Sequence, residues 1–461
     1  MVHAHDKKSS NEIARRTFTR ILVVVTLSVV SVLAFAAASR MVVVDAKLSP
    51  VVRNAASERR NPRISVRSAT TAVAVNPSLM ATITVDRSDD VAAASACTAA
   101  ANDCSLRGAV AFANLNPGTT ISVPAGTYQL NIAGGVGEGF SGNNSIGDLD
   151  VTGNNTIITG AGAATTTIQQ TAPNDRVLEI NPFLDANFTF GISGVTLNGG
   201  KETTAVGGGG IVAGSINNST TVTDCVISGN SASGVGTFGG GGIMVQGGSL
   251  TITGTTLSNN SSTASGGGLT YTAGDPILRL PSNGTLSISG STFSGNSANS
   301  AAAGGGAADL FNFSGSIGTY SVNSSSFSNN AAANGSGGAI IVETGPLTVT
   351  TSSFSGNSAG NRGGAVLSAS SVAITYSRLV GNTVPVATNG LTVFNSGGVA
   401  SEDNNWWGSN AGPSANDFRN NAGTVSPASF LELRVVASPD IICTGGSSVL
   451  TADIKKINSG G

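Results

Sequence analysis

The segment SSFSGNSA, residues 352–359, is one of six copies of a repeat that together decide the fold. Each copy contains an asparagine, with a large apolar residue three positions before it and a β-branched residue eight positions before it. The other copies are CVISGNSA (225–232), TTLSNNSS (255–262), STFSGNSA (291–298), SSFSNNAA (325–332) and SRLVGNT (377–383). Offsets that stay fixed from copy to copy indicate stacked structural repeats.

Two ladders of side chains are predicted from these offsets. Successive repeat asparagines are 30, 36, 34, 27 and 25 residues apart. One unit cannot bury its apolar face alone, so the units must stack with like side chains above one another. We expect the apolar ladder to lie inside and the asparagines to hydrogen-bond along the stack. The apolar ladder is Ile227, Leu257, Phe293, Phe327, Phe354 and Leu379, and the asparagine ladder is Asn230, Asn260, Asn296, Asn330, Asn357 and Asn382.

The rest of each unit reads as strands and turns. Alternating segments such as LTITG (250–254) and LSISG (286–290) predict strands with one face inward, and no helical period occurs inside the repeats. Glycine clusters such as Gly239–Gly242 open most units; no helix or lysine follows them, so they predict tight turns and not phosphate-binding loops. The pattern therefore predicts an all-β parallel solenoid of about eleven coils, about 50 Å long.

Composition excludes several classes of function. The chain has 461 residues, of which 62 are glycine and only 10% are charged, and its net charge of −2 provides no broad basic surface for nucleic acid. Its only histidines are His3 and His5, which excludes histidine-dependent catalysis and histidine-ligated metals from the rest of the chain.

The N-terminus is typical of an exported protein. Residues 1–20 carry five Lys or Arg, and the uncharged apolar run 21–38 ends in small residues. This predicts a signal peptide or a retained signal anchor over residues 1–38, followed by a linker over residues 39–81. In an oxidising compartment, Cys97 and Cys104 are expected to form a local disulfide. Ser105 can cap a short helix in CSLRGAVAFAN (104–114), which would cover the first coil.

Several motifs resemble those of a known family. CSLRGAVAFAN, NPGTTISVPAGTYQL (116–130) and GDLDVTGNNTIITGAG (147–162) are similar to the CSLREA-type N-terminal region of bacterial exported right-handed parallel β-helix proteins. The GGGGI and SGNSA repeats also resemble those of polymorphic outer-membrane proteins. Gly108 departs from the family motif, which has Glu there, and the resemblance implies a looser helix if that Glu fixes it. The likeness covers about residues 82–425 and implies a secreted or surface-attached right-handed β-helix of a bacterium.

The C-terminal part carries two further resemblances. NNWWG (404–408) is similar to a motif near the end of such rods; Trp406 and Trp407 could form a sugar-stacking platform, or they could close the last coil. Residues 431–454 resemble the first two strands of a bacterial immunoglobulin-like domain, so residues 426–461 are predicted to begin a domain that is incomplete here. The predicted β-helix spans residues 82–425.

The function expected from these features is adhesion or interaction through loops on the rod, with a polysaccharide or a cell-surface protein as partner. Nucleic acid is not expected, and membrane contact would come only through a retained N-terminal segment. A pectate lyase-like polysaccharide lyase or hydrolase, or the passenger of an outer-membrane autotransporter, remains an alternative.

No catalytic, cofactor-binding or metal-binding residue is assigned from the sequence. Charged residues in 190–430 fall at different offsets from the repeat asparagine, which predicts that carboxylates do not pair on adjacent coils. Asp148, Asp150 and Asp175 could form a Ca²⁺ site, although the RTX-type ligand pattern is absent.

Overall fold

The computed structural model describes residues 81–458 with short gaps. The gaps are residues 135–141, 182–186, 204–206, 215–216, 234–238, 276–280, 302–303, 422–426, 439, 442–443 and 445–446, and side chains are described up to residue 454. The predicted export signal (1–38) and all but the last residue of the predicted linker (39–81) lie outside the described residues. Within the described part, no helix is long and apolar enough to cross a bilayer.

The chain folds as a right-handed parallel β-helix, which confirms the predicted fold class. Each complete coil contributes one strand to each of four parallel sheets, as in the coil formed by Ile211–Gly214 (sheet IV), Ser219–Thr223 (sheet I), Val226–Ser228 (sheet II) and Ser231–Ala232 (sheet III).

The strands repeat down each sheet. Sheet I has eleven strands: Thr82–Thr84, Thr120–Val123, Thr156–Gly160, Thr189–Ser193, Ser219–Thr223, Ser249–Thr253, Asn283–Ser289, Ile317–Asn323, Leu347–Thr350, Val372–Thr375 and Ala400–Ser401. Sheet II has nine: Gly126–Leu130, Thr166–Gln170, Thr196–Asn198, Val226–Ser228, Thr256–Ser258, Thr292–Ser294, Ser326–Ser328, Ser353–Ser355 and Arg378–Val380. Sheet III has six two-residue strands: Lys201–Glu202, Ser231–Ala232, Ser261–Ser262, Ser297–Ala298, Ala331–Ala332 and Ser358–Ala359. Sheet IV has ten: Leu149–Val151, Leu178–Ile180, Ile211–Gly214, Ile243–Gln246, Leu269–Ala273, Ala308–Asn312, Ile340–Val342, Val366–Ser368, Val393–Asn395 and Phe418–Asn420.

The core is one continuous apolar cluster along the rod axis. In sheet I the β-branched ladder predicted from the repeat lies in register and faces inward: Val222, Ile252, Ile288, Val322, Val349 and Ile374. Alternate residues of a strand point to opposite faces, so the polar residues between them face out. Sheet IV is buried on both faces, and a separate small cluster of Ile341, Leu367 and Phe394 covers part of its outer face.

A single α-helix, Leu106–Leu115, covers the N-terminal end of the rod among the described residues. Ser105 is its N-cap and accepts a 2.9 Å hydrogen bond from the Gly108 amide. A Cβ at Gly108 would lie 1.8 Å from the Ala94 carbonyl oxygen, so no side chain fits there. The glycine at this position therefore lets the helix approach the preceding loop closely.

The C-terminal end differs from the rod. A short 3₁₀ helix, Ala387–Asn389, precedes the last strands of the rod. Strands Ser429–Ser438 and Val449–Asn458 then form an antiparallel hairpin. The assignment of this segment to an immunoglobulin-like domain stays a prediction.

Candidate functional site

The six repeat asparagines lie directly above one another at the turn between sheets II and III. Each side-chain oxygen accepts a bond from the backbone amide one coil earlier, as between Asn330 Oδ1 and the Asn296 amide at 3.0 Å. Each Nδ2 donates to the next asparagine where one follows, and also to a carbonyl of the preceding coil. The side chains are at most 5% exposed, so a row of amide groups that would otherwise be costly to bury is satisfied internally.

The apolar ladder lies inside sheet II. The Phe293, Phe327 and Phe354 rings stack with centroids 4.8 Å apart at each step. Ile227 and Leu257 continue the ladder toward the N-terminus, and Leu379 continues it toward the C-terminus. A bridge between Arg378 and Trp406 places Trp407 at the next inward position after Leu379.

The two tryptophans do not share a surface. Trp407 is 6% exposed, belongs to the core and packs 6.3 Å from the Phe418 ring, measured between centroids. Trp406 lies on the opposite, outer face, because neighbouring residues of an extended chain point in opposite directions. Only Trp406 is therefore placed to contact a ligand.

Cys97 and Cys104 form a disulfide bond in the loop before the helix, with Cα atoms 4.4 Å apart. The bond lies at the N-terminal cap, and its position indicates a structural role.

The corner between sheets I and II carries a fourth ladder, which the repeat pattern did not predict. A residue with positive φ makes each turn, and a small polar residue follows it. The side-chain oxygen of each following residue accepts a hydrogen bond from the backbone amide of the equivalent residue one coil earlier. Ser352 Oγ, for example, accepts from the Ser325 amide at 3.1 Å. The same bond runs through Cys225, Thr255, Ser291, Ser325, Ser352 and Ser377 to Asn405.

A groove follows this corner over its last five coils. It has a volume of about 420 Å³ and begins at Gly290 and ends at Trp406, where the hairpin residues Leu431 and Ile454 form one side. Small residues line most of its length, and larger ones line its C-terminal end. The small residues are Gly290, Ser291, Thr292, Ser324, Ser325, Ser326, Thr351, Ser352, Ser353 and Ser377.

The C-terminal end of the groove combines two aromatic side chains and one cation. Tyr376 is 58% exposed, Arg378 is exposed and Trp406 is half-buried. Tyr376 has a φ of 52°, at a turn position where other coils have a glycine, such as Gly254 or Gly290, or a smaller polar residue, such as Ser324 or Thr351. A left-handed conformation costs a non-glycine residue about 1–2 kcal/mol, so a bulky side chain held there is a candidate for function.

A group of acidic side chains lies at the N-terminal end of sheet IV, where one carboxylate oxygen from each of Asp148, Asp150 and Glu179 lies within 4.8 Å of the others. All three residues are buried. Burial raises the pKa of Asp150 above its ordinary value, and burial raises the pKa of Glu179 to about 10, with nearby Arg176 opposing both shifts. The sequence carries a signal for this group, since LDV (149–151) and LEI (178–180) are the same apolar–acidic–apolar triplet on neighbouring coils.

Two carboxylates on adjacent coils influence each other although their offsets from the repeat asparagine differ. Burial raises the pKa of Asp309 to about 8, and the neighbouring Glu343 carboxylate adds to the rise, so these two groups do interact. The number of residues differs from coil to coil, and therefore an offset counted from the repeat asparagine does not give the register on sheet IV. Asp309 pairs there with Ile341.

Comparison of the chain with protein-family models, with curated proteins and with solved structures finds no match. The resemblance to exported β-helix proteins rests on the quoted motifs alone.

Proposed function

We propose that this chain is an exported β-helix protein that binds an acidic polysaccharide, without cleaving it, in the groove between sheets I and II. The observation that carries the proposal is the C-terminal end of that groove, where Tyr376, Arg378 and Trp406 meet at the end of a corner lined by hydroxyl groups. The N-terminal motifs and the repeats support a secreted or surface-attached bacterial rod related to CSLREA-type proteins.

The aromatic residues suit a sugar ring. Tyrosine and tryptophan present a large apolar face with a polar edge, which matches a ring that has C–H groups on its faces and hydroxyls around its rim. The 58% exposure of Tyr376 leaves much of its ring open to such a contact. Trp406 lines the same groove one coil further along.

The periodicity of the corner suits a chain of sugars. Successive coils are about 4.8 Å apart, close to the length of one sugar unit in an extended polysaccharide. Exposed Ser324 and Thr351 repeat at this spacing, and their hydroxyl oxygens lie 3.1 Å from each other. A polymer lying along the corner would therefore meet hydroxyl groups on these two successive coils, with Tyr376 on the coil that follows.

The charge of the groove favours an acidic sugar. Arg378 is its one charged residue among the described residues that line it. A guanidinium can bind a carboxylate through two parallel hydrogen bonds. Glycoside hydrolysis requires a pair of carboxyl groups, so the described lining favours binding over cleavage.

The test is affinity electrophoresis and calorimetry of the purified chain with polygalacturonate and with neutral dextran. We expect the wild-type chain to bind polygalacturonate and to bind it more weakly as salt rises. Trp406→Ala and Tyr376→Ala should each weaken binding about tenfold, the loss of about 1.4 kcal/mol expected for one aromatic contact. Arg378→Gln should reduce the salt dependence.

Arg419→Gln, at an exposed arginine outside the groove, is the matched control and should bind like the wild type. Equal binding by the Trp406→Ala variant and the wild-type chain would place the ligand elsewhere on the rod. Release of unsaturated or reducing-end sugars would replace this proposal by the lyase or hydrolase alternative.

A further inference from the structure

The carboxylates at the N-terminal end of sheet IV are brought together by the register of the coils. Asp150 and Glu179 are paired neighbours on adjacent strands, about 4.8 Å apart. Asp148 lies in the bend just before the strand Leu149–Val151, and one of its carboxylate oxygens lies within 4.8 Å of those of Asp150 and Glu179. The strand register and this bend together bring three carboxylates to one end of the rod.

Two of these carboxylates, Asp150 and Glu179, have no hydrogen-bond donor among the described residues. Asp150 is fully buried, and neither of its carboxylate oxygens accepts a hydrogen bond from the described residues. The Glu179 oxygens also accept none, and the cation nearest to Glu179 is Arg176, whose Nη1 is 3.5 Å from its Oε1. A buried carboxylate without donors or a counter-charge is strongly unfavourable, so the site needs a further partner.

The two buried arginines nearby do not supply that partner for Asp150. Arg176 contacts three carboxylates, since it lies 3.7 Å from Asp148, 3.5 Å from Glu179 and in direct contact with Glu202. Arg107 is committed to Asp90 and to backbone carbonyl oxygens of residues 144 and 146–148. Arg176 is thus shared by Asp148, Glu179 and Glu202, and the Asp150 carboxylate accepts a hydrogen bond from neither arginine.

We propose that Asp148, Asp150 and Glu179 bind one divalent cation of the Ca²⁺ type. Hard cations prefer oxygen ligands, and carboxylates are their commonest charged ligands in proteins. Ca²⁺–oxygen distances of about 2.3–2.6 Å let two ligand oxygens lie up to about 4.6–5.2 Å apart, so three oxygens within 4.8 Å of one another can reach one ion. Mg²⁺ demands near-ideal octahedral geometry and usually keeps several waters, so a buried set of carboxylates suits Ca²⁺ better.

An ion here would join two coils at the capped end of the rod. It would link the strand Leu149–Val151 to the strand Leu178–Ile180 through their side chains as well as through the sheet. Removing it should therefore loosen the N-terminal coils. The proposal is independent of the polysaccharide groove, which lies in the C-terminal coils.

The first test uses the purified wild-type chain after EGTA treatment and dialysis. We expect elemental analysis to find one Ca²⁺ per chain after readdition, and the melting temperature to rise by several degrees with Ca²⁺ and less with equal Mg²⁺. This measurement needs no variant. No retained Ca²⁺, with equal melting in EGTA, Ca²⁺ and matched KCl, would overturn the proposal and would favour a proton shared between Asp150 and Glu179.

Asp150→Asn and Glu179→Gln then test the ligands. Each should weaken Ca²⁺ binding at least tenfold and remove the Ca²⁺-dependent rise in melting temperature. Asp309→Asn is the matched control, because Asp309 is a buried carboxylate at the same outward position of sheet IV in a later coil. Ca²⁺ binding that is unchanged by Asp150→Asn and Glu179→Gln would contradict the assignment.

Discussion

A single asparagine side chain inside the ladder takes part in four hydrogen bonds. Asn330 accepts from the backbone amide and the side chain of Asn296, and it donates to Asn357 Oδ1 and to the Phe293 carbonyl. The partners of each asparagine lie on neighbouring coils, so the ladder fixes the vertical register of the turns. Serine or threonine at this position would be too short to bridge two coils in both directions.

Asn330→Ala should lower the free energy of unfolding by about 2–4 kcal/mol, because it leaves the buried amide groups of Asn296 without an acceptor. Urea unfolding followed by circular dichroism measures the change. The control is Asn329→Gly, next in the chain, exposed, and at a φ of 54° that glycine adopts readily. It should stay within about 0.5 kcal/mol of the wild type. Equal losses in both variants would contradict a role for the ladder.

Asp309 predicts a pH dependence of stability. Burial raises its pKa to about 8, with the neighbouring Glu343 carboxylate adding to the rise, against an ordinary value of 3.8, and one of its carboxylate oxygens has no hydrogen-bond donor. Between pH 3.8 and about pH 8, Asp309 carries a proton in the folded chain and has released it in the unfolded chain. The contribution of Asp309 to the free energy of unfolding is therefore unfavourable, and it worsens as pH rises from about 4 to about 8.

Asp309→Asn should consequently stabilise the chain by about 1–3 kcal/mol at pH 7.5 and leave it nearly unchanged at pH 4. Thermal melts of variant and wild type across this range give the difference, in which the other titrating groups cancel. Exposed Asp440→Asn should show no such trend. A difference that is constant with pH would mean that Asp309 is ionised in the folded chain.

Among the elements of the fold, the N-terminal helix is attached to the first coils by its apolar face and by one buried charged side chain. Arg107 is fully buried, pairs with Asp90 at 2.5 Å and donates to four backbone carbonyls between residues 144 and 148. Asp90 in turn accepts the amides of Asn131 and Ile132. The helix thereby closes the open end of the sheets, where unpaired strand edges would otherwise be exposed.

The sequence predicted some elements well and others poorly, for a physical reason. Alternation and fixed offsets predicted the strands of sheets I and II and the helix at Ser105, because those signals are local. Arg107 was missed, since its partners lie 17 and about 40 residues away in loops that carry no repeat. The carboxylates at the end of sheet IV were only partly found: Asp148 and Asp150 were noted, but Glu179 depended on a register that the asparagine repeat does not reach.

The groove was also only partly predictable. The NNWWG motif indicated both tryptophans as candidates. Strand alternation separates them, because it turns Trp406 to the groove and Trp407 to the core. Tyr376 and Arg378 were not singled out, because their shared corner is recognisable only after the coils are stacked. A site built across coils needs the register of every loop in between, and insertions of varying length hide that register in the sequence.

The rod as a whole should tolerate the loss of one complete coil. Deleting residues 328–354 removes 27 residues, the spacing between Asn330 and Asn357, and joins Phe327 to Ser355. The junction restores SSFSGN, and each sheet then pairs strands that were two coils apart, for example Tyr320 with Val372. Because each coil contacts only its neighbours, all four ladders stay continuous and the rod shortens by about 4.8 Å.

We expect this variant to keep the far-ultraviolet spectrum of a β-protein and a cooperative melt, at a somewhat lower temperature because one interface between coils is lost. Deleting residues 328–341 is the control: it removes about half a coil and joins Phe327 to Val342, so a sheet II strand would run into sheet IV. In that chain the apolar residues can no longer face the core, because a shift in register turns their side chains to solvent. Size-exclusion chromatography should show it aggregated or unfolded. If both deletions behaved alike, stability would depend on long-range features and not on coil-to-coil register, and the ladder account of this rod would be untenable.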